Sequence, residues 1–201
     1  AHSAIGAPGR PWLSYGALRD QASYVAGALH GFGIGRGDRV AIVLPNGPEM
    51  ASSFICVAQV AVTAPLNPAY KQEEYAFYLD DLKAKALIVM DGYDGPALAA
   101  AQDLGIAVIR LTVGPEHAAG GFLLTAEGAA SAVDAVLPTG DDVALILHTS
   151  GTTSRPKIVP LSQANRAASA GNIAASLALK PEDRCVNIMP LFHLFICRLT
   201  T

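Results

Sequence analysis

Val143-Ala144-Leu145-Ile146-Leu147-His148-Thr149-Ser150-Gly151-Thr152-Thr153-Ser154-Arg155-Pro156-Lys157 is the stretch whose reading decides the fold. Its opening residues are apolar without alternation and the run is short, which predicts a buried strand over Val143 to Thr149. The strand runs into a loop that sets the hydroxyls of Thr149, Ser150, Thr152 and Thr153 around Gly151 and ends at Lys157. That chemistry suits a polyphosphate. Hydroxyls donate to phosphate oxygens, a glycine lets backbone N–H groups approach an anion without a Cβ in the way, and a lysine adds a point positive charge. Open α/β sheets place their ligands where strands end in such loops. Two common nucleotide motifs are absent: Gly151 has no second glycine before Lys157, as a Walker loop needs, and no G-x-G-x-x-G follows a strand. The same residue types also build solvated turns, so it is their order that carries the argument.

Outward from this stretch, strand and helix patterns alternate. Leu18, Ala22, Val25, Ala26 and Leu29 recur at helical spacing after a Ser14 N-cap and before Gly31 and Gly33. Val40 to Leu44 reads as a strand, and Pro48 opens a helix running through Val62. Glu73 to Leu82 reads as a helix, Ala86 to Met90 as a strand, Pro96 to Leu104 as a helix and Ile106 to Leu111 as a strand. Thr112 to Asp142 has no clear period. A short strand follows near Lys157 to Pro160, then a helix from Ser162 to about Leu179 and a last strand from Arg184 to Met189. Alternation of this kind predicts an α/β fold with a mostly parallel sheet, and runs such as Val40 to Leu44, apolar on both faces, predict helices on both sides.

Thr149-Ser150-Gly151-Thr152-Thr153-x-x-Pro156-Lys157 resembles the phosphate-loop signature of the adenylate-forming superfamily, which includes acyl-CoA synthetases, luciferases and peptide-synthetase adenylation domains. Other stretches resemble the family in the same order: Gly35 to Asn46 its first core strand and preceding turn, Pro65-Leu66-Asn67-Pro68 a turn after its next long helix, and Lys180 to Arg184 the turn into a strand ending at Pro190. Ser154, His148 and Met189-Pro190-Leu191-Phe192-His193 are similar to the oxalate–CoA ligase and peroxisome-type branch. The family has glycine where this chain has Ser154 and Ile158, and a β-branched Ile158 requires ordinary β backbone after Lys157. The tail from Leu194 to Thr201 also departs from the branch, which continues with a glycine-containing segment.

The resemblance implies part of the large N-terminal domain of that fold, with residues 1–140 as a first α/β subdomain and 141–201 as the phosphate loop and the start of a second. It implies an acid–CoA ligase: a carboxylate attacks the α-phosphate of Mg²⁺·ATP, pyrophosphate leaves, and CoA then captures the acyl-adenylate. Thr149, Ser150, Gly151, Thr152, Thr153 and Lys157 are implied to hold the β- and γ-phosphates, and His193 to flank the acyl pocket. The glutamate for Mg²⁺, the aspartate for ribose and the lysine of the C-terminal lid are all expected past residue 201, so this stretch alone is expected to be inactive. A non-catalytic remnant with weak nucleotide binding and a peptide-synthetase-type domain are the other readings. A serine hydrolase is not supported, because no G-x-S-x-G surrounds Ser150.

With 51% hydrophobic and 15% charged residues, the chain has ample apolar surface for a core. The net charge of -3 and the absence of basic clusters argue against nucleic acid as a partner. Cys56, Cys185 and Cys197 lack metal-ligand spacing and read as reduced thiols, which with no visible signal peptide points to the cytoplasm. The most apolar helix, near Glu49 to Val62, is too short to span a bilayer.

Overall fold

The computed structural model describes residues 2–126, 131–149 and 156–192. Nine strands and five helices follow in chain order among them: β1 (Ser3–Ile5), β2 (Leu13–Ser14), α1 (Tyr15–Gly31), β3 (Arg39–Val43), α2 (Pro48–Val57), β4 (Val62–Pro65), α3 (Gln72–Leu82), β5 (Ala86–Met90), α4 (Pro96–Asp103), β6 (Ala107–Thr112), β7 (Leu123–Ala126), β8 (Val143–Thr149), β9 (Lys157–Ser162) and α5 (Gln163–Ser176). β1 and β2 form a small antiparallel pair, and the other seven strands form one sheet in the order β7-β6-β5-β3-β4-β8-β9. The five inner strands are parallel, while β7 and β9 pair antiparallel at the two edges.

Strand alternation sorts the core into two layers. Val40 and Ile42 of β3 and Ile88 of β5 pack with Val25 and Leu29 of α1 and with Met50, Cys56 and Val57 of α2. Ala41, Val43, Leu87 and Val89 point the other way, onto Tyr75, Leu79 and Leu82 of α3 and onto Ala97, Leu98 and Ala101 of α4. A strand buried on both faces gains nothing from a polar alternate residue, which is why β3 and β5 read as continuous apolar runs.

The caps follow local chemistry. Ser14 Oγ accepts from the Ala17 N–H at 3.1 Å and starts α1. Ser162 and Asn165 cap α5 reciprocally, each bond 3.1 Å long. Between α1 and β3, the Gly35 N–H donates to Asp38 Oδ2 at 2.9 Å and Gly37 sits at φ +84°, a conformation that only glycine adopts cheaply.

The structure differs from the sequence reading, or adds to it, at four places. The helix opened by Pro48 ends at Val57, and Val62 begins a strand. The Val62 N–H donates to Asp38 O and the Leu66 N–H to Ile42 O, so the ladder beside β3 prevails over the helix for this β-branched stretch. The segment without period contains β7, whose edge position leaves Leu123 exposed and so weakens the pattern. β1 and β2 have two or three residues each, too few for a period. Arg184 to Met189 is not a strand: no neighbour among the described residues offers it a ladder, and Val186 and Ile188 stand 82% and 84% exposed.

Candidate functional site

Five parallel strands end on one edge of the sheet, and of the predicted ligand groups Thr149 and Lys157 are described there. β8 ends at Thr149 and β9 starts at Lys157, and these two residues are antiparallel register partners. The structure therefore brings Thr149 and Lys157 together at the foot of the loop. Ser150, Gly151, Thr152 and Thr153 lie outside the described residues, as does His193. Ile158 lies within β9 opposite His148, in the extended backbone that its branched side chain requires. Pro160 is accommodated because β9 is an edge strand.

The hairpin is anchored at its base and along its stem. Asp142, just before β8, accepts from the Thr139 backbone N–H at 2.5 Å and pairs with Arg36 Nε at 2.9 Å. These contacts, the backbone bond first, hold its carboxyl below the usual carboxylate range. Leu145 and Leu147 pack on Phe54 of α2, and Arg166 of α5 lies 5.4 Å over the same ring. Ile146 faces the opposite layer. His148 shares that face: its Nε2 lies 3.3 Å from Asp81 Oδ2 of α3, and its ring meets Tyr78 edge-on at 4.6 Å. Burial pushes the His148 imidazole below its ordinary value, against the opposing pull of Asp81.

At the carboxyl end of β3, Asn46 holds a distant segment with both ends of its amide. Its Nδ2 donates to Met189 O at 3.2 Å, and its Oδ1 accepts from the Leu191 N–H at 2.9 Å. Leu191 enters the core layer under α1 and α2. The turn that leads to His193 is thus fixed beside β3 up to residue 192. Neither this clamp nor Asp81 stands out in the sequence. Asn46 closes the Gly35 to Asn46 stretch, but its partners come more than 140 positions later. Asp81 is one of four acids on α3, and nothing in their order singles it out.

Among the described residues no group of three His, Cys, Asp or Glu converges, so this part of the chain offers no carboxylate cage for Mg²⁺. Among them no helix is long and apolar enough to cross a membrane. What the arrangement offers is a strand–loop–strand foot carrying one hydroxyl and one ammonium, on a stem tied to both layers.

Comparison with known proteins decides the family. The AMP-binding enzyme family matches residues 2–200. The chain belongs to the AMP-binding enzyme family. Members similar to it include the probable CoA ligase CCL9 of Humulus lupulus, 40% identical over 189 residues, a match covering 90% of this chain and 35% of that protein. The oxalate–CoA ligase of Arabidopsis thaliana is 40% identical over 195 residues, covering 94% of this chain and 38% of that protein. Among solved structures, ATP-bound MatB from Rhodopseudomonas palustris superposes with a TM-score of 0.79 at 27% identity, covering 99% of this chain and 40% of that one. The chain thus spans less than two fifths of the curated relatives named here. The fold is that of part of the N-terminal domain of adenylate-forming enzymes, with a mostly parallel sheet and helices on both faces.

Proposed function

We propose that this chain is the triphosphate-gripping part of an ATP-dependent acid–CoA ligase. In that reaction a carboxylate oxygen attacks the α-phosphorus of ATP, the bond to pyrophosphate breaks, and an acyl-adenylate forms. The sulfur of CoA then attacks the acyl carbon, AMP leaves, and the thiol proton passes to solvent. The observation that supports this is the pairing of Thr149 with Lys157 at the mouth of a hydroxyl-rich loop, on the carboxyl edge of a parallel sheet. The relatives at 40% identity are CoA ligases by name, which supports the reaction class. The likeness to MatB solved with ATP bound supports the nucleotide.

In this reading Thr149, Ser150, Gly151, Thr152, Thr153 and Lys157 neutralise charge that builds on the departing pyrophosphate. His193 flanks the acyl group, following a turn that Asn46 holds. Residues 1–140 supply the scaffold and 141–201 the phosphate loop. The free thiols Cys56 and Cys185 agree with a reducing, cytoplasmic setting. In this reading the 201 residues alone do not complete the reaction, and their match to 38% of the Arabidopsis relative supports it. No step is assigned to Mg²⁺ through the residues of this chain.

The test is carboxylate-dependent ATP–pyrophosphate exchange, in a polypeptide that completes this chain with the C-terminal remainder of the Arabidopsis enzyme. Lys157→Ala should slow exchange by about 10²–10³-fold, the cost of one positioned donor to a developing charge, with the melting temperature unchanged. Unchanged turnover would remove Lys157 from the site. The 201-residue chain alone should release no pyrophosphate when given a carboxylic acid, and such release would refute its dependence on the remainder.

A further inference from the structure

The entry strand of the loop carries a buried polar contact that the proposed chemistry does not use. β8 meets β4 through the pair Thr63–Leu145, near its start. Leu147, His148 and Thr149 have ladder partners on β9, itself the edge of the sheet. The end of the hairpin therefore relies on side chains for its position relative to the body. On the α3 side the polar tether is His148, whose side chain is 5% exposed and whose Nε2 lies 3.3 Å from Asp81 Oδ2. A carboxylate only accepts, so Nε2 carries the hydrogen and donates it. Nδ1 is then a lone pair, buried with no hydrogen-bond partner among the described residues. A buried lone pair without a protein partner is a cost that a free surface histidine would avoid by turning outward. The ring stays because it packs against Tyr78, which in turn stacks on Tyr70 at 4.8 Å.

We propose that Asp81, acting through His148, is a positioning residue for the triphosphate grip: it fixes the end of β8 on α3 and so sets where the Thr149–Lys157 pair stands relative to the body of the sheet. This inference rests on the reading of the loop as a triphosphate site. Simple electrostatics predicts the reverse effect of Asp81, because a carboxylate near an anion site repels the anion. Loss of binding when the acid is removed is therefore diagnostic of positioning.

The experiment titrates sodium tripolyphosphate into the 201-residue chain, following the Thr149 and Lys157 amides by NMR and the His148 ring in ¹⁵N-histidine-labelled protein. Wild-type chain should show His148 as the Nε2–H tautomer. Asp81→Ala should weaken tripolyphosphate at least fivefold and scramble that tautomer. Asp81→Asn, whose Oδ1 still accepts, should recover most of the affinity. His148→Phe keeps an aromatic ring against Tyr78 but loses the donor; it should stay folded and weaken tripolyphosphate at least fivefold, which carries the test where Asp81→Ala does not fold. Unchanged or tighter binding in Asp81→Ala or His148→Phe overturns the positioning role and leaves the site standing. Wild-type chain whose Thr149 and Lys157 amides ignore tripolyphosphate overturns the site itself, and this inference with it.

Discussion

His148 sits where a single atom decides a great deal. One ring nitrogen reaches Asp81, the other has no partner among the described residues, and burial holds the imidazole below its ordinary value. The folded chain keeps this group neutral at pH values where the unfolded chain, with a histidine value of about 6.5, takes up a proton. Its contribution to stability is complete above the unfolded value and is lost as pH falls through the lower folded one. Thermal melting between about pH 7 and pH 5 should show a falling midpoint, and His148→Phe should flatten that slope. A wild-type midpoint that stays level would show that His148 is not held neutral. At this scale the sequence was legible where chemistry is local. Thr149 and Lys157 stand out because hydroxyls, a glycine and a lysine crowd into nine residues with the order of a known loop. Asp81 did not, because it lies 67 positions from the imidazole it serves and only packing makes them neighbours.

Elements were legible to the extent that their periods were. β5 and β8 have the bounds their apolar runs suggest, and α1 begins at the serine that caps it. The error at Val62 has a clear cause. The stretch from Met50 to Val62 is largely apolar, and a helix buried on most sides and a strand buried on both faces look alike there. The ladder to β3 resolves it, and a ladder is a contact at a distance. The segment after α5 makes the same point in the other direction, since Arg184 to Met189 has strand composition but no partner to pair with among the described residues. Asn46 ties its end to β3 by two side-chain bonds. Asn46→Ala should speed exchange of the Leu191 amide at least tenfold and cost about 1 kcal/mol of stability, whereas Asn46→Asp, which keeps the acceptor, should preserve protection at Leu191. Hydrogen exchange with mass or NMR readout checks this, and equal protection in Asn46→Ala would remove the clamp from the account.

At the scale of the whole molecule, five parallel strands end on one edge, where Thr149 meets Lys157, while helices seal both faces. Alternating element patterns were enough to foresee that layout, because each run that is apolar on both faces demands cover on both sides. They did not reveal the antiparallel edges, which close the sheet with short strands of mixed burial. Beyond α5 the surface changes character: Leu177, Leu179, Val186 and Ile188 are all more than half exposed. A patch of that kind should bind an environment-sensitive dye such as ANS and drive self-association of the 201-residue chain at micromolar concentration; a monomeric, dye-silent chain by light scattering and fluorescence would contradict the exposure described. The central claim concerns the hairpin, which is proposed to hold phosphates rather than adenine or acyl groups. Calorimetric titration of the chain with ATP, tripolyphosphate and AMP tests it most directly. The account predicts that tripolyphosphate binds nearly as well as ATP, that AMP binds far more weakly, and that Lys157→Ala weakens the first two at least tenfold; AMP binding equal to ATP, indifferent to Lys157, would contradict it.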